Sequence, residues 1–118
     1  MSHKLNNYLR TYRKRAGLSQ AEVAFLLGGQ SGTKVSRYER AARQPTLQTA
    51  LAYEVIFAIP VRALFAGMCH KVEQPIVKRA QVLARKLNTA KPDRLTTRKL
   101  QVLQAVASAP ASVPAAQS

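Results

Sequence analysis

Between Gly17 and Glu39 the chain reads G-L-S-Q-A-E-V-A-F-L-L-G-G-Q-S-G-T-K-V-S-R-Y-E. Ser19, followed three residues later by Glu22, is a capping box, in which each side chain bonds the other residue's backbone N–H. It opens a helix that runs to about Leu27. Gly28-Gly29 ends that helix, because a sharp turn there takes a positive backbone angle that glycine adopts without cost. Ser31 caps the next helix, through about Arg40, with Val35 and Tyr38 on its inner side. Two short helices joined so tightly must cross at close range, and Ala24 supplies the small side chain needed at the crossing.

The flanking sequence continues in the same style. Leu5, Leu9, Tyr12 and Ala16 fall at helical intervals, and Gly17 suits a left-handed stop after them. Thr46 caps a fourth helix, expected to bury Leu47, Ala50, Leu51 and Val55. Pro60 fits the first turn of a fifth, with Val61, Leu64 and Phe65 inward and Gly67 closing it. A sixth helix carries Val72, Ile76, Ala80, Leu83 and Leu87 on one side and Lys78, Arg79, Arg85 and Lys86 mostly on the other. Pro92 and Asp93 mark a break. A seventh places Leu95, Val102, Leu103 and Val106 on its apolar face. Nothing in the first 107 residues alternates apolar and polar as a half-buried strand does, so the fold class is all-α. The expected division is 1–69 for the five-helix domain, 70–107 for basic amphipathic helices and 108–118 for a disordered Ala/Pro/Ser tail.

The 118 residues contain 19 Lys and Arg against five Asp and Glu, a net charge of +14. Residues 1–70 hold ten basic and three acidic residues and 71–118 hold nine and two, so each segment carries +7. Such an excess attracts polyanions, either nucleic acid or acidic lipid. Apolar stretches are far shorter than the ~20 residues of a membrane span. With no apolar signal region near the N-terminus and a single cysteine, Cys69, the expectation is a cytoplasmic protein without a membrane partner. Cys69-His70 with only His3 elsewhere is too few ligands for zinc, so no metal is expected. The few carboxylates form no acid pair on a shared face. No nucleophile has a base beside it, and no glycine-rich phosphate loop appears. No enzyme and no cofactor are expected.

The two capped helices and their turn have the form of a helix–turn–helix, whose second helix enters the DNA major groove. Its outward positions are Gly32, Thr33, Lys34, Ser36, Arg37 and Arg40. Thr33, Ser36 and Arg37 are the candidates for base reading, since Arg reaches guanine O6 and N7 and Thr the thymine methyl. Lys34 reads a base or holds a phosphate. Gly32 lets a backbone come close. Ser19 and Gln20, at a helix N-terminus with free N–H groups, are candidates for phosphate contact. Arg40, Arg43 and Gln44 in the following loop are phosphate candidates by charge and polarity.

Residues 5–67 resemble the lambda-repressor-like, Cro-type helix–turn–helix domain, the xenobiotic-response-element family. The segments that carry the resemblance are L-R-T-Y-R-K-R-A-G-L-S-Q-A-E-V-A, V-S-R-Y-E-R-A-A-R-Q-P-T-L and I-P-V-R-A-L-F-A-G. The resemblance implies a five-helix domain followed by one or two C-terminal helices. It also implies that Gln20 binds phosphate and braces the recognition helix, and that the loop after that helix clamps the sugar-phosphate backbone. Arg13 and Glu39 are implied to form a partly buried ion pair, against a reading in which Arg13 contacts phosphate. The chain departs from the family in one extra residue near Gly29-Gln30.

The implied function is a sequence-specific DNA-binding transcriptional regulator, a repressor acting as a homodimer on an inverted repeat of double-stranded DNA. Residues 72–107 are expected to create or extend the dimer contact, or to pack within the chain, with basic faces adding phosphate contacts. The alternatives are an antitoxin holding a toxin through residues 72–107, and a nucleic-acid-packaging or RNA-binding protein with little sequence preference.

Overall fold

The computed structural model describes residues 6–89, 91 and 93–108. Among them are seven α-helices and no strand: α1 (Leu9–Ala16), α2 (Gln20–Leu26), α3 (Gly32–Glu39), α4 (Leu47–Phe57), α5 (Val61–Leu64), α6 (Ala66–Asn88) and α7 (Arg94–Ser108). The chain divides into two compact units, at the junction of Met68 and Cys69. The tail expected to be disordered lies, beyond Ser108, outside the described residues.

Local chemistry sets the helix ends of the first unit. Gly17 stops α1 in the left-handed region, at φ 75°. The Ser19–Glu22 capping box is formed in both directions, with Glu22 N–H donating to Ser19 Oγ (3.0 Å) and Ser19 N–H to Glu22 Oε1 (2.8 Å). Ser31 and Thr46 cap α3 and α4 by accepting from the N–H groups of Lys34 and Thr49. Pro60 precedes α5 without a side-chain cap of its own. Glu54 serves instead, its carboxylate accepting from Val61 N–H at 2.9 Å. Two alanines, Ala41 and Ala58, take left-handed angles (φ 58° and 55°) after α3 and α4. A methyl side chain there is crowded by the following carbonyl, at a cost of about 1–2 kcal/mol each.

The core is built from Leu9, Val23, Ala24, Val35, Tyr38, Ala50, Tyr53, Leu64 and Phe65. Tyr53 is its hub. Its ring meets Tyr38 and Phe65 edge-on and stacks on Phe57, with centroids 6.2, 6.5 and 5.9 Å away. Such pairs add ~0.5–1.5 kcal/mol beyond area burial.

Several expectations require correction. In α4 the inward residues are Thr49, Ala50 and Tyr53, while Leu47 (74 %), Leu51 (48 %) and Val55 (81 %) are exposed. The helix is apolar nearly all round, so spacing alone does not select a face, and the aromatic contacts of Tyr53 decide it. Ala16 is exposed at the end of α1. Gly67 does not close α5. It lies buried within the first turn of α6, because the single turn of α5 ends at Phe65.

In the second unit, α6 beyond His70 has its buried and half-buried residues at Glu73, Val77, Ala80, Ala84 and Leu87. In α7 they are Thr96, Leu100, Leu103, Val106 and Ala107. The dominant steps of four and three are those of helices lying side by side. Asp93 starts α7 by accepting from Thr96 N–H at 2.7 Å, and this bond with the Thr96 side chain holds its carboxyl below the usual range. The expected apolar sides are covered only in part within the chain. Val72, Ile76 and Leu83 of α6, and Leu95 and Val102 of α7, are exposed. The inner side of α6 is instead centred on alanines, whose small side chains let a neighbouring helix come closer than branched ones would.

The Tyr53 hydroxyl is buried with no hydrogen-bond partner among the described residues. Burial pushes its ionisation well above the ordinary 10.0, with a smaller push from the charge of Glu39. The raised value means that the folded state retains this proton where the unfolded chain would release it. Stability from Tyr53 is therefore present below pH 10 and declines as pH rises beyond it. Tyr53→Phe is expected to keep or raise the melting temperature at neutral pH, since removing an unsatisfied hydroxyl relieves about 1–3 kcal/mol of desolvation. It is also expected to flatten the decline above pH 10. Thermal melts of both proteins from pH 7 to 11 check both outcomes.

Candidate nucleic-acid interface

The candidate interface is the outer side of α3, and the first question is what holds that helix in place. Its inner side is fixed by Val35 and Tyr38, both almost wholly buried. Of its neighbours, α2 packs on it most extensively. Gly28 and Gly29 make the turn between them, with φ 104° and 85°, and the carbonyl of Ala24 accepts from both Gly29 N–H and Gln30 N–H at 3.1 Å. Two successive glycines with positive φ carry the chain from α2 towards α3. A methyl group on Gly32 would sit 3.6 Å from Ala21 N and 3.8 Å from the Gln20 carbonyl carbon, so the tip of α3 rests against the start of α2.

A second clamp acts at the other end of α3. Arg13 of α1 meets Glu39 through two bonds, Nε to Oε2 at 2.5 Å and Nη2 to Oε1 at 3.1 Å. Its third donor, Nη1, reaches the Leu18 carbonyl at 3.0 Å. Gln20 Nε2 adds a bond to Glu39 Oε1 at 3.1 Å. The Arg13 and Glu39 side chains are only 11 % and 3 % exposed. Donating to the Glu39 carboxylate holds the Arg13 guanidinium in its charged form against desolvation, which acts the other way. One carboxylate thus ties α1 and α2 to the last residue of α3, while Arg13 itself holds the α1–α2 loop through Leu18. Forked arginine–carboxylate pairs fix orientation as well as distance.

With these anchors in place, the helical period sets what faces out. Thr33, Arg37 and Arg40 are exposed at steps of four and three, a single row opposite Val35. Lys34 and Ser36 are half-buried on its flanks. Arg40 folds back along the row, its Nε donating to Ser36 Oγ at 3.3 Å. The next loop turns back as well, with the Arg37 carbonyl accepting from Ala42 N–H at 2.9 Å and Arg43 N–H at 3.3 Å. That brings the backbone of Arg43 to the end of the row, and Arg43 and Gln44 are exposed. Ser19 is exposed at the start of α2, with its hydroxyl oxygen engaged in the capping box. Gln20 and Gly32 are half-buried neighbours.

Two positioning residues have no counterpart in the sequence reading. Asn7 Nδ2 donates to the Tyr38 carbonyl at 2.9 Å while its Oδ1 accepts from Leu9 N–H at 3.1 Å, joining the start of α1 to the end of α3. Gln30 in the turn accepts from the Tyr38 hydroxyl at 3.2 Å. An Asn two residues ahead of a helix is a recognisable capping type, but its long-range bond leaves no local trace. Among the described residues, no group of three or more His, Cys, Asp or Glu is placed to hold a metal, and no helix is long and apolar enough to cross a membrane.

Comparison with known families agrees with this geometry. Residues 5–58 match the family model of a helix-turn-helix domain, a span that takes in α1 to α4 and stops short of α5. No curated protein and no solved structure matches the chain.

Removing one partner of a buried ion pair leaves the other uncompensated, at about 3–5 kcal/mol. Arg13→Ala is therefore expected to lower the melting temperature together with affinity for duplex DNA. Calorimetry alongside a binding titration checks this. Weakened affinity at an unchanged melting temperature would make Arg13 a phosphate contact instead.

Proposed function

We propose, on the premise that residues 5–58 are a helix-turn-helix domain, that the chain is a sequence-specific DNA-binding regulator of transcription of the Cro type. It acts as a repressor, binding as a dimer to an inverted repeat. The observation that carries the proposal is the exposed row Thr33–Arg37–Arg40 on a helix whose opposite side is locked into the core. A rigid α-helix with cationic and hydroxyl side chains along one edge suits the major groove.

In this reading Thr33, Ser36 and Arg37 read bases, with Lys34 reading a base or holding a phosphate. Arg40, Arg43 and Gln44 follow the sugar-phosphate backbone beyond the end of α3. Ser19, Gln20 and Gly32, gathered where α2 begins and α3 begins, flank it on the other side. Gln20 has two amide protons; with one directed to Glu39, it couples a phosphate contact to the clamp on α3. Arg13 and Glu39 serve orientation.

One recognition helix covers only a few base pairs, so specificity calls for two, with half-sites about 34 Å apart. The exposed Val72, Ile76, Leu83, Leu95 and Val102 support a dimer contact in the second unit, as apolar surface that a partner copy would remove from water.

Selection of bound duplexes from a random pool tests the function. The expected product is an inverted repeat with half-sites one helical turn apart, and a pool without enrichment would refute sequence-specific binding. Separate substitutions then test the roles. Arg37→Ala is expected to relax preference at one base position at about 1–3 kcal/mol, while Arg43→Ala weakens all sites alike. Binding titrations across single-base variants of the selected site distinguish the two.

A further inference from the structure

The second unit carries as much net charge as the first, and the row on α3 uses none of it. The cations of α6 are ordered. Lys71, Lys78 and Arg85 stand seven residues apart, so they line up about 10 Å from one to the next along the helix. They fall on the side turned away from Ala80, the buried residue of this helix, and Arg79 and Lys86 flank them. All five are exposed.

Surface helices commonly interleave such cations with carboxylates a turn away, which offsets their mutual repulsion. Here no Asp or Glu stands three or four residues to either side of Lys78, Arg79, Arg85 or Lys86. The only acid of α6 beyond residue 70 is Glu73, on the half-buried stripe. The other acid of the unit, Asp93, caps α7. Lys91, Arg94, Arg98 and Lys99 add four further exposed cations.

We propose that this face of α6 is a second binding surface, which grips the phosphate backbone of duplex DNA without regard to sequence. Three features select that ligand. The spacing of Lys78 and Arg85, with Arg79 and Lys86 beside them, along the part of α6 that follows Pro75 suits a regular array of charges. Residues 69–108 contain no Phe, Tyr or Trp, so the unit lacks the ring platforms on which the bases of single strands stack. The same lack argues against a membrane surface, which an amphipathic helix enters with a broad apolar face rich in Trp, Phe and Leu. The exposed Val72, Ile76 and Leu83 beside Ala80 are aliphatic, and a partner copy covers them in the proposed dimer. Lys78, Arg79, Arg85 and Lys86 act as charges and read no base. They raise affinity for all duplexes and leave the choice among sequences to α3.

The test uses the full chain with Lys78→Gln, Arg79→Gln, Arg85→Gln and Lys86→Gln combined, its fold checked by circular dichroism. Affinity for a random-sequence duplex and for a selected site is measured over a range of KCl concentrations. Each lost phosphate contact lowers the slope of log affinity against log salt by ~0.9. The expected result is a slope shallower by about 2–4 on both duplexes, with the preference between them unchanged. A control with Lys78→Arg and Lys86→Arg keeps the original slope, because charge alone is recognised. An unchanged slope in the four-fold variant overturns the proposal. So does an unchanged slope with lost retention on phosphatidylserine vesicles, which would assign the face to lipid. Should the slope fall while no sequence is preferred over another, the reading of α3 fails and this one stands.

Discussion

The buried carboxylate of Glu39 is the interaction on which the first unit's geometry depends. A charge placed at 3 % exposure is unfavourable unless its lone pairs are met, and here Arg13 and Gln20 meet them from two different helices. The direction of the constraint matters. A hydrophobic contact tolerates sliding and rotation, whereas a forked pair of N–H donors fixes the angle at which α1 approaches the end of α3. The apolar side of α3 sets which face is hidden, and the ion pair sets how that face is oriented. The exposed row on the far side inherits its direction from both.

The helix boundaries of the first unit were legible because they follow local rules. Capping by Ser19, Ser31 and Thr46, and the left-handed stop at Gly17, involve groups within three or four residues of one another. Faces were legible only where polar residues contrast with apolar ones. In α3, Val35 and Tyr38 stand against Lys34 and Arg37, and the period assigns them to opposite sides. In α4 the contrast is missing, and Leu47, Leu51 and Val55 are as apolar as the Ala50 and Tyr53 that are buried. In α6 the cations mark the outer side, but aliphatic residues lie on both, with Ala80 buried and Ile76 and Leu83 exposed.

Within the candidate site, residue types and their outward positions could be read from spacing, but their engagements could not. Asn7 reaches Tyr38 across 31 positions, a pairing no local window contains. The bond from Arg40 to Ser36 depends on rotamers. The link between Gln20 and Glu39 likewise arises only when helices distant in sequence have packed. The two units also differ in how their charge is arranged. In the first, Arg13 sits in bonds that fix its surroundings; in the second, Lys78, Arg79, Arg85 and Lys86 stand exposed along one helix.

The left-handed alanines at 41 and 58 bracket α4 and bear on the stability of the first unit. At roughly 1–2 kcal/mol apiece they remove a sizeable part of the 5–15 kcal/mol that usually separates folded from unfolded chains. Steric crowding at two backbone positions thus draws on the folding free energy, and glycine, which has no Cβ, would take either angle without it.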